Sequence, residues 1–476
     1  MKRTTSPTEL LLEIDRATSV PLRVQLEREL RRAIQAGRLK AGAPLPSTRS
    51  LAADLDVSRG VVVEAYEQLL AEGYVRTHHG SATHVAGRRT IDREPPPKEV
   101  APLTPRYDFR PGVPDLSLFP RRAWVAALRR AFASLPDVAL DYPDPRGAAP
   151  ARRALANYLN RARATVARED RVVFCNGSAQ GIGLLCRVLR ERGVRRIAVE
   201  DPGYADQCTN IQACGLETPR VPVDDRGLCV DRLGRLDAGA VLVTPAHQYP
   251  TGAVLAPERR AALLEWAATQ RTIIIEDDYD AEYRYDREPI GALQGLAPER
   301  VVYAGSASKV LSPALRLGWL VVPPDLVVDI TRAKLQADNG SATPEQLALA
   351  EFIESGALDS HLRRTRHIYR RRRDALVTSL HKHLPNLRLH GVAAGLHVLI
   401  ELAGGVDERA VVETAARRSI RVYGGGDYRA KSRAGPPAIL VGYGGLPEST
   451  IPEAVRELAQ VLTECGQPRS SSKTRR

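Results

Sequence analysis

Lys309 is the residue with the most chemical reach in this sequence. It closes the run Gly305-Ser306-Ala307-Ser308-Lys309, directly after an apolar stretch that reads as a strand, in a chain where arginine greatly outnumbers lysine. A lysine held on such an edge can condense with an aldehyde to form a Schiff base. An aldehyde cofactor of the pyridoxal phosphate type also needs a phosphate cradle, a carboxylate opposite its ring nitrogen and a flat group packed on its ring. Each has a candidate. Asn176-Gly177-Ser178-Ala179-Gln180 leaves a strand and opens a helix, so the amides of Ser178 and Ala179 can meet phosphate oxygens. Ser306, Ser308 and Arg316 would complete the cradle, with a charge-assisted bond from Arg316 worth about 1.5–3 kcal/mol. Asp277 follows the apolar run Ile273-Ile274-Ile275, at the C-terminal edge of a strand where open α/β sheets bind ligands. Tyr279 can hydrogen-bond near the phenolic oxygen, and Tyr204, in Asp201-Pro202-Gly203-Tyr204, can stack on the ring. Singly these are equally a loop charge, a helix cap and a core aromatic; in chain order they describe one pocket.

A second constellation lies near the start of the chain. Ser47 precedes Thr48-Arg49-Ser50-Leu51-Ala52 and can cap one helix, and Ser58 can cap the next, which begins Arg59-Gly60. Helix N-termini offer free amides to phosphate, and Arg49 and Arg59 add a guanidinium beside each. Arg59, on the first turn of the later helix, is placed for the major groove, where a bidentate contact to guanine gives about 1–3 kcal/mol of discrimination. His79-Gly80 would form the tip of a hairpin able to enter the minor groove or touch phosphate. Each arginine alone reads as readily as a solvated charge.

The elements that must position these residues follow from periodicity. Pro21 opens a helix with Leu22, Leu26, Leu30 and Ile34 on one face and Gly37 as its stop; Val62, Tyr66 and Leu69 give a later helix an inner face. Tyr74-Val75-Arg76-Thr77 and Thr83-His84-Val85 pair as a hairpin. Three helices and a hairpin make a winged helix, assigned to residues 15–86. Residues 87–106, with Pro95-Pro96-Pro97, read as a semi-extended linker, and the basic tail 467–476 as disordered. Between them, from 107 to 466, apolar runs at 172–174, 196–199, 241–243, 273–275, 301–303 and 319–322 alternate with helical stretches. That alternation predicts an α/β body with a mainly parallel sheet covered on both faces, and a smaller C-terminal subdomain from about Thr343.

Composition adds bounds. A formal charge of +13 over 476 residues favours a polyanionic partner such as nucleic acid without specifying a fold. The cysteines (Cys175, Cys186, Cys208, Cys214, Cys229, Cys465) show no zinc-like spacing, so reduced, mostly buried thiols and no metal are expected. Leu10 to Leu12 is broken at once by Glu13 and Asp15, too short for a signal peptide or span, and a cytoplasmic protein is expected. Arg363, Arg364, Arg366 and Arg370 to Arg373 crowd one helix, which reads as a solvated face rather than a second DNA surface.

The stretch GRLKAGAPLPSTRSLAADLDVSRGVVVEAYEQLLAEGYV resembles the GntR family of bacterial winged-helix regulators. The resemblance implies double-stranded operator DNA as partner, with Arg49, Ser58, Arg59 and Gly60 at or near it and dimers on two half-sites. His78-His79-Gly80-Ser81 departs from the Gly-Ser-Gly wing of many relatives. Further on, YPDPRG, GSAQG, EDPGY, YPTG, EDDYD and SASKVLSPALRLGW resemble the class I aminotransferases of fold type I. The two together resemble the MocR subfamily, a winged helix-turn-helix fused to an aminotransferase-like, pyridoxal 5'-phosphate-dependent body. By that match Lys309 carries the Schiff base, Asp277 pairs with the ring nitrogen, and Tyr142 reaches the phosphate in the partner's site of a head-to-tail, domain-swapped homodimer.

Two departures bear on function. Tyr249 stands where aminotransferases place the Asn that binds the phenolic oxygen, leaving His247 or Gln248 as substitutes. Leu440 stands where many carry the arginine for a substrate α-carboxylate, and Asp206 where relatives responsive to γ-aminobutyrate carry another; Arg429 and Arg433 are the remaining carboxylate candidates. The expectation is a regulator whose body senses an amine, an amino acid or pyridoxal phosphate itself, with a lean to the vitamer. The alternative is an aminotransferase with an accessory DNA-binding domain.

Overall fold

The computed structural model describes residues 12, 14–77, 82–86, 105–286, 290–430 and 435–466, and divides into two units, one up to residue 102 and one from 103. The His79-Gly80 tip, the linker up to residue 104, Arg433 and the tail lie outside the described residues.

In the first unit the helices start at their caps. The helix α1 (Leu22–Gln35) follows Pro21. Helix α2 (Thr48–Asp54) is capped by Ser47, whose Oγ accepts from the Ser50 amide at 3.1 Å, and α3 (Arg59–Ala71) by Ser58, which accepts from Val61 at 3.4 Å. Strands β1 (Val75–Arg76) and β2 (His84–Val85) pair antiparallel. Leu26, Leu30, Leu51, Val62, Leu69, Val75 and Val85 form one buried core, each fully buried aliphatic contributing roughly 1.5–3 kcal/mol of transfer free energy. The Tyr66 hydroxyl donates to the Pro46 carbonyl at 3.0 Å, which ties the inner face of α3 to the segment leading into α2.

The second unit begins with β3 (Tyr107–Asp108), α4 (Arg121–Ala133) and α5 (Ala149–Arg163). Its large sheet is laid down by β4 (Val172–Asn176), α6 (Ser178–Glu191), β5 (Ile197–Asp201), α7 (Ala205–Ala213), β6 (Arg220–Asp224), β7 (Gly227–Leu228) and β8 (Ala240–Val243). It continues through α8 (Pro257–Gln270), β9 (Ile273–Asp278), β10 (Val301–Ser306) and β11 (Leu317–Val321). The order is β4-β11-β10-β9-β8-β5-β6-β7, parallel except that β11 runs against both neighbours and β7 returns on β6. The strand cores are buried on both faces, as near-continuous Val/Ile/Leu runs require.

The smaller subdomain carries an antiparallel sheet of Arg388–His390, His397–Glu401, Ala438–Gly442 and Tyr423–Gly424, packed with helices that include Ala357–His383 and Ile451–Glu464. It is not purely C-terminal: β3 pairs in parallel with Ile420–Arg421, so the first residues of the body are stitched into the last layer. Two residues of strand give no periodicity to read, which is why the sequence places them only as a domain edge.

The arginine-rich helix is a solvated face only in part: Arg363, Arg364, Arg370 and Arg371 are exposed, whereas Arg366 and Arg373 are half-buried and Arg372 is buried. Arg364, Arg366, Arg370 and Arg373 donate to the carbonyls of Leu118, Glu282, Tyr285 and Val392, and Arg372 holds the Gly444 carbonyl and Asp115. These side chains satisfy backbone acceptors of neighbouring loops that no helix or strand serves. All six cysteines are free; Cys175, Cys186 and Cys208 are buried and the other three half-buried. No helix among the described residues is long and apolar enough to cross a membrane.

Candidate functional site

The C-terminal edges of β4, β9 and β10 converge on one cavity of about 580 Å³. Parallel pairing sets Ala304 of β10 beside Asp277 of β9, and the turn after β10 carries Lys309 across from that carboxylate. Ser178, Ala179, Tyr204, Asp277, Tyr279, Ser306, Ser308, Lys309 and Arg316 all line this space.

The end of the cavity beside Ser178 and Arg316 is built by close backbone approach. Gly177 has φ +83°, and a Cβ there would meet Arg316 Nη2 at 2.8 Å; a Cβ on Gly318 would lie 2.8 Å from the Ser178 amide nitrogen. Both positions therefore need glycine to let the guanidinium and β11 lie against the N-terminus of α6. No side chain among the described residues caps α6, whose first residues Ser178 and Ala179 line the cavity. Arg316 itself has a left-handed backbone, φ +52°, and donates to the Asn176 carbonyl, so its guanidinium is fixed beside Ser178.

At the other end sits Asp277. Gln207 Nε2 donates to its Oδ2 at 3.3 Å, while Oδ1 is buried with no partner among the described residues. Burial, then the neighbouring Asp278 charge, pushes the Asp277 carboxyl up to about 6. A protonated ring nitrogen opposite Oδ1 would supply the missing donor and a compensating charge. Burial lowers the Lys309 ammonium, with the Arg110 charge adding to the effect and Asp280 and Asp277 opposing it. A lysine made easier to deprotonate is a better nucleophile toward an aldehyde. The residues present thus fit pyridoxal phosphate.

Tyr204 is half-exposed, its hydroxyl donating to Asp206 at 2.9 Å and its ring edge-on to Tyr249 at 5.6 Å. The sequence reading missed Pro111, Gly112, Gln207, Thr209, Asn210 and Thr244, which also line the cavity. Gln207 follows Tyr204 by one helical turn on α7, the only signal that could have found it.

Two expectations are corrected. Neither His247 nor Gln248 lines the cavity. Gln248 Nε2 donates to Pro202 and Tyr249 carbonyls and its Oε1 accepts from Thr251, while His247 Nδ1 faces Asp280, so both side chains are committed elsewhere. Arg429 donates to the Pro436 carbonyl and lines a separate cavity with Pro202 and Pro250. Leu440 is wholly buried with Leu399 and Ala438. Tyr142 is 84% exposed and lines a different hollow with Pro136 and Val138, away from the Lys309 cavity of its own chain.

In the first unit Arg49, Ser58, Arg59 and Gly60 are all exposed along α2 and the start of α3, and Arg59 Nε donates to Thr48 Oγ1 at 3.4 Å.

A family model described as aminotransferase class I and II matches residues 112–426, and one described as bacterial regulatory proteins, gntR family, matches 22–85. The HTH-type pyridoxine biosynthesis transcriptional regulator PdxR of Corynebacterium glutamicum is 36% identical over 94% of this chain and 96% of its own. The probable rhizopine catabolism regulatory protein MocR of Rhizobium meliloti is 30% identical over 94% and 95%. Among solved structures, the multiple substrate aminotransferase of Thermococcus profundus superposes with a TM-score of 0.70 at 27% identity, covering 77% of this chain and 93% of that one. Its fold family is dependent on pyridoxal phosphate, and a GntR head implies DNA binding. The exposed Arg49–Gly60 surface and the Lys309 cavity thus occupy the two matched halves of a chain that belongs to the MocR subfamily of transcriptional regulators.

Proposed function

We propose that this regulator binds operator DNA through residues 15–86, using Arg49, Ser58, Arg59 and Gly60 with His79 and Gly80 at the wing, and that its body, residues 107–466, holds pyridoxal phosphate on Lys309. The signal it reads is the vitamer itself. The observation that carries this is that Lys309 lines one cavity with an Asp277 whose Oδ1 is buried and unpartnered among the described residues, in the same chain as the DNA-binding head. Three features support the vitamer over an amino acid: Leu440 is buried in the core, Asp206 places an acid at the cavity wall, and Arg429 is turned to a backbone carbonyl. The likeness to a regulator named for pyridoxine biosynthesis agrees with that reading.

When bound, the cofactor supplies an electrophilic carbon conjugated to a protonated ring. The chain's own residues do the rest: Ser178, Ala179, Ser306, Ser308 and Arg316 bind the phosphate, Asp277 holds the ring proton, and Tyr204 covers the ring. Exposed Tyr142 serves the second copy's cavity in a domain-swapped homodimer, and the protein works in the cytoplasm beside its operator.

The test uses the purified full-length chain and a duplex selected from random sequence. Pyridoxal phosphate should change duplex affinity, and Lys309→Ala should abolish that change while leaving the melting temperature of the protein intact. An unchanged response in Lys309→Ala sinks the proposal. Sustained turnover of amino and keto acids with no effect on DNA affinity would install the aminotransferase reading instead.

A further inference from the structure

Behind Tyr279 lies a buried pair that the cavity does not touch. His247 is 2% exposed and Asp280 1%. Both oxygens of Asp280 reach His247 Nδ1, at 3.0 and 3.1 Å, and the Tyr279 hydroxyl lies 3.0 Å from the same nitrogen. Nε2 of His247 has no partner among the described residues, so Nδ1 makes all of the ring's hydrogen bonds.

One nitrogen with one proton cannot serve both neighbours alike. An ionised carboxylate only accepts, so the Nδ1–H is donated to Asp280. Facing a protonated nitrogen, Tyr279 can use only its lone pairs there, and its own hydroxyl proton must go elsewhere. The open direction is the cavity that Tyr279 lines. Were Nδ1 bare, Tyr279 would spend its proton on the ring and Asp280 would face a lone pair.

This matters because the usual amide is missing. Tyr249 occupies its place, and the Tyr249 hydroxyl is directed to that of Tyr428 at 3.3 Å. We infer that Asp280 and His247 form a positioning pair that keeps Nδ1 protonated, which both holds the Tyr279 oxygen in place and leaves its hydroxyl as the donor to the phenolic oxygen of the cofactor; the inference rests on the cofactor reading above. His397, whose ring centre is 5.2 Å from that of His247, donates from Nε2 to the Pro250 carbonyl and is held neutral by burial, so it does not compete for Asp280. The other groups acting on Tyr279 are Asp277, Glu200 and Tyr249, with Lys309 across the cavity.

The experiment measures pyridoxal phosphate affinity of the full chain, and the pH midpoint of the visible band of the bound cofactor, without DNA. Tyr279→Phe and His247→Leu should each weaken binding by about tenfold, the size of one hydrogen bond to a charged group. Losing a donor at the phenolic oxygen returns negative charge to it, so the adjacent nitrogen keeps its proton to higher pH and the midpoint moves up in both variants. The double variant should be no weaker than Tyr279→Phe, and His247→Asn, whose amide N–H can stand at the Nδ1 position, should recover most of the loss. Additive losses, or a midpoint that moves in Tyr279→Phe but not in His247→Leu, overturn the inference. If His247→Leu does not fold, Asp280→Asn carries the same test, an unmoved midpoint again being the overturning result. Absence of any vitamer effect on DNA binding would defeat the sensor reading and leave this one standing; a wild-type chain that takes up no pyridoxal phosphate defeats both.

Discussion

Arg49 and Arg59 stand exposed on two consecutive helices, close together in sequence, and a single capped helix suffices to aim each of them. Asp277, Tyr279, Lys309 and Arg316 come instead from several strand ends, and they meet in a space buried enough to push Asp277 up to about 6. The head therefore presents charge that water has already solvated, so its contacts are individually modest and sensitive to salt. In the body the Asp277 Oδ1 has lost its hydration and has no partner among the described residues, so it carries a standing cost that a ligand can relieve. Arg316 is exposed like the two arginines of the head, and differs from them in being tied to the Asn176 carbonyl beside the α6 N-terminus.

The largest contrast is expected at Arg316. Replacing it with Ala removes a guanidinium fixed against the α6 N-terminus, and pyridoxal phosphate affinity should fall by about 10- to 100-fold, from about 1.5–3 kcal/mol for a charge-assisted bond. Equilibrium binding followed by absorbance checks it, and an affinity within threefold of wild type would show that the cradle works through backbone amides alone. At Arg59, Ala substitution should cost about 1–3 kcal/mol on the selected duplex and relax specificity at one base position. If it instead lowers affinity equally on all duplexes and reduces the salt slope by about one, Arg59 is a phosphate contact and not a reader of bases.

The smallest effect is a pH dependence set by Asp277 in the body. A carboxyl whose folded value is raised from 3.8 to about 6 binds protons more tightly folded than unfolded, so its contribution to stability falls as pH rises through that window. Asp277→Asn removes this term. In cofactor-free protein its melting temperature should gain on wild type between pH 4 and 7, by roughly a few degrees, and the gap should be smallest at the acid end. A gap independent of pH would mean that Asp277 is already protonated or already paired in the folded chain.

Much of the fold was legible because its signals are local. Ser47 and Ser58 cap the helices they precede, and the six apolar runs of the body all became strands of one sheet. The wall of the Lys309 cavity was legible for the same reason: Ser178, Asp277 and Lys309 each sit at the end of an element, where period and punctuation mark them. Gln207, Thr244 and Gly112 were not, because nothing in their own segments distinguishes them from ordinary surface or loop residues. His247, one of two substitutes the sequence offers for the missing amide, faces Asp280 instead, a carboxylate that only folding brings within 3.0 Å.

Sequence alone determined which segments are helix and strand, which serines cap, and which lysine stands at a strand end, since each depends on neighbours a few bonds away. Tertiary structure decided what each polar atom faces. It turned several arginines of Ala357–His383 onto loop carbonyls, buried Leu440, stitched Tyr107–Asp108 beside Ile420–Arg421, and left Asp277 Oδ1 without a partner among the described residues. Those outcomes depend on segments distant in the chain, because a buried donor or acceptor must be matched by whatever group packing brings to it.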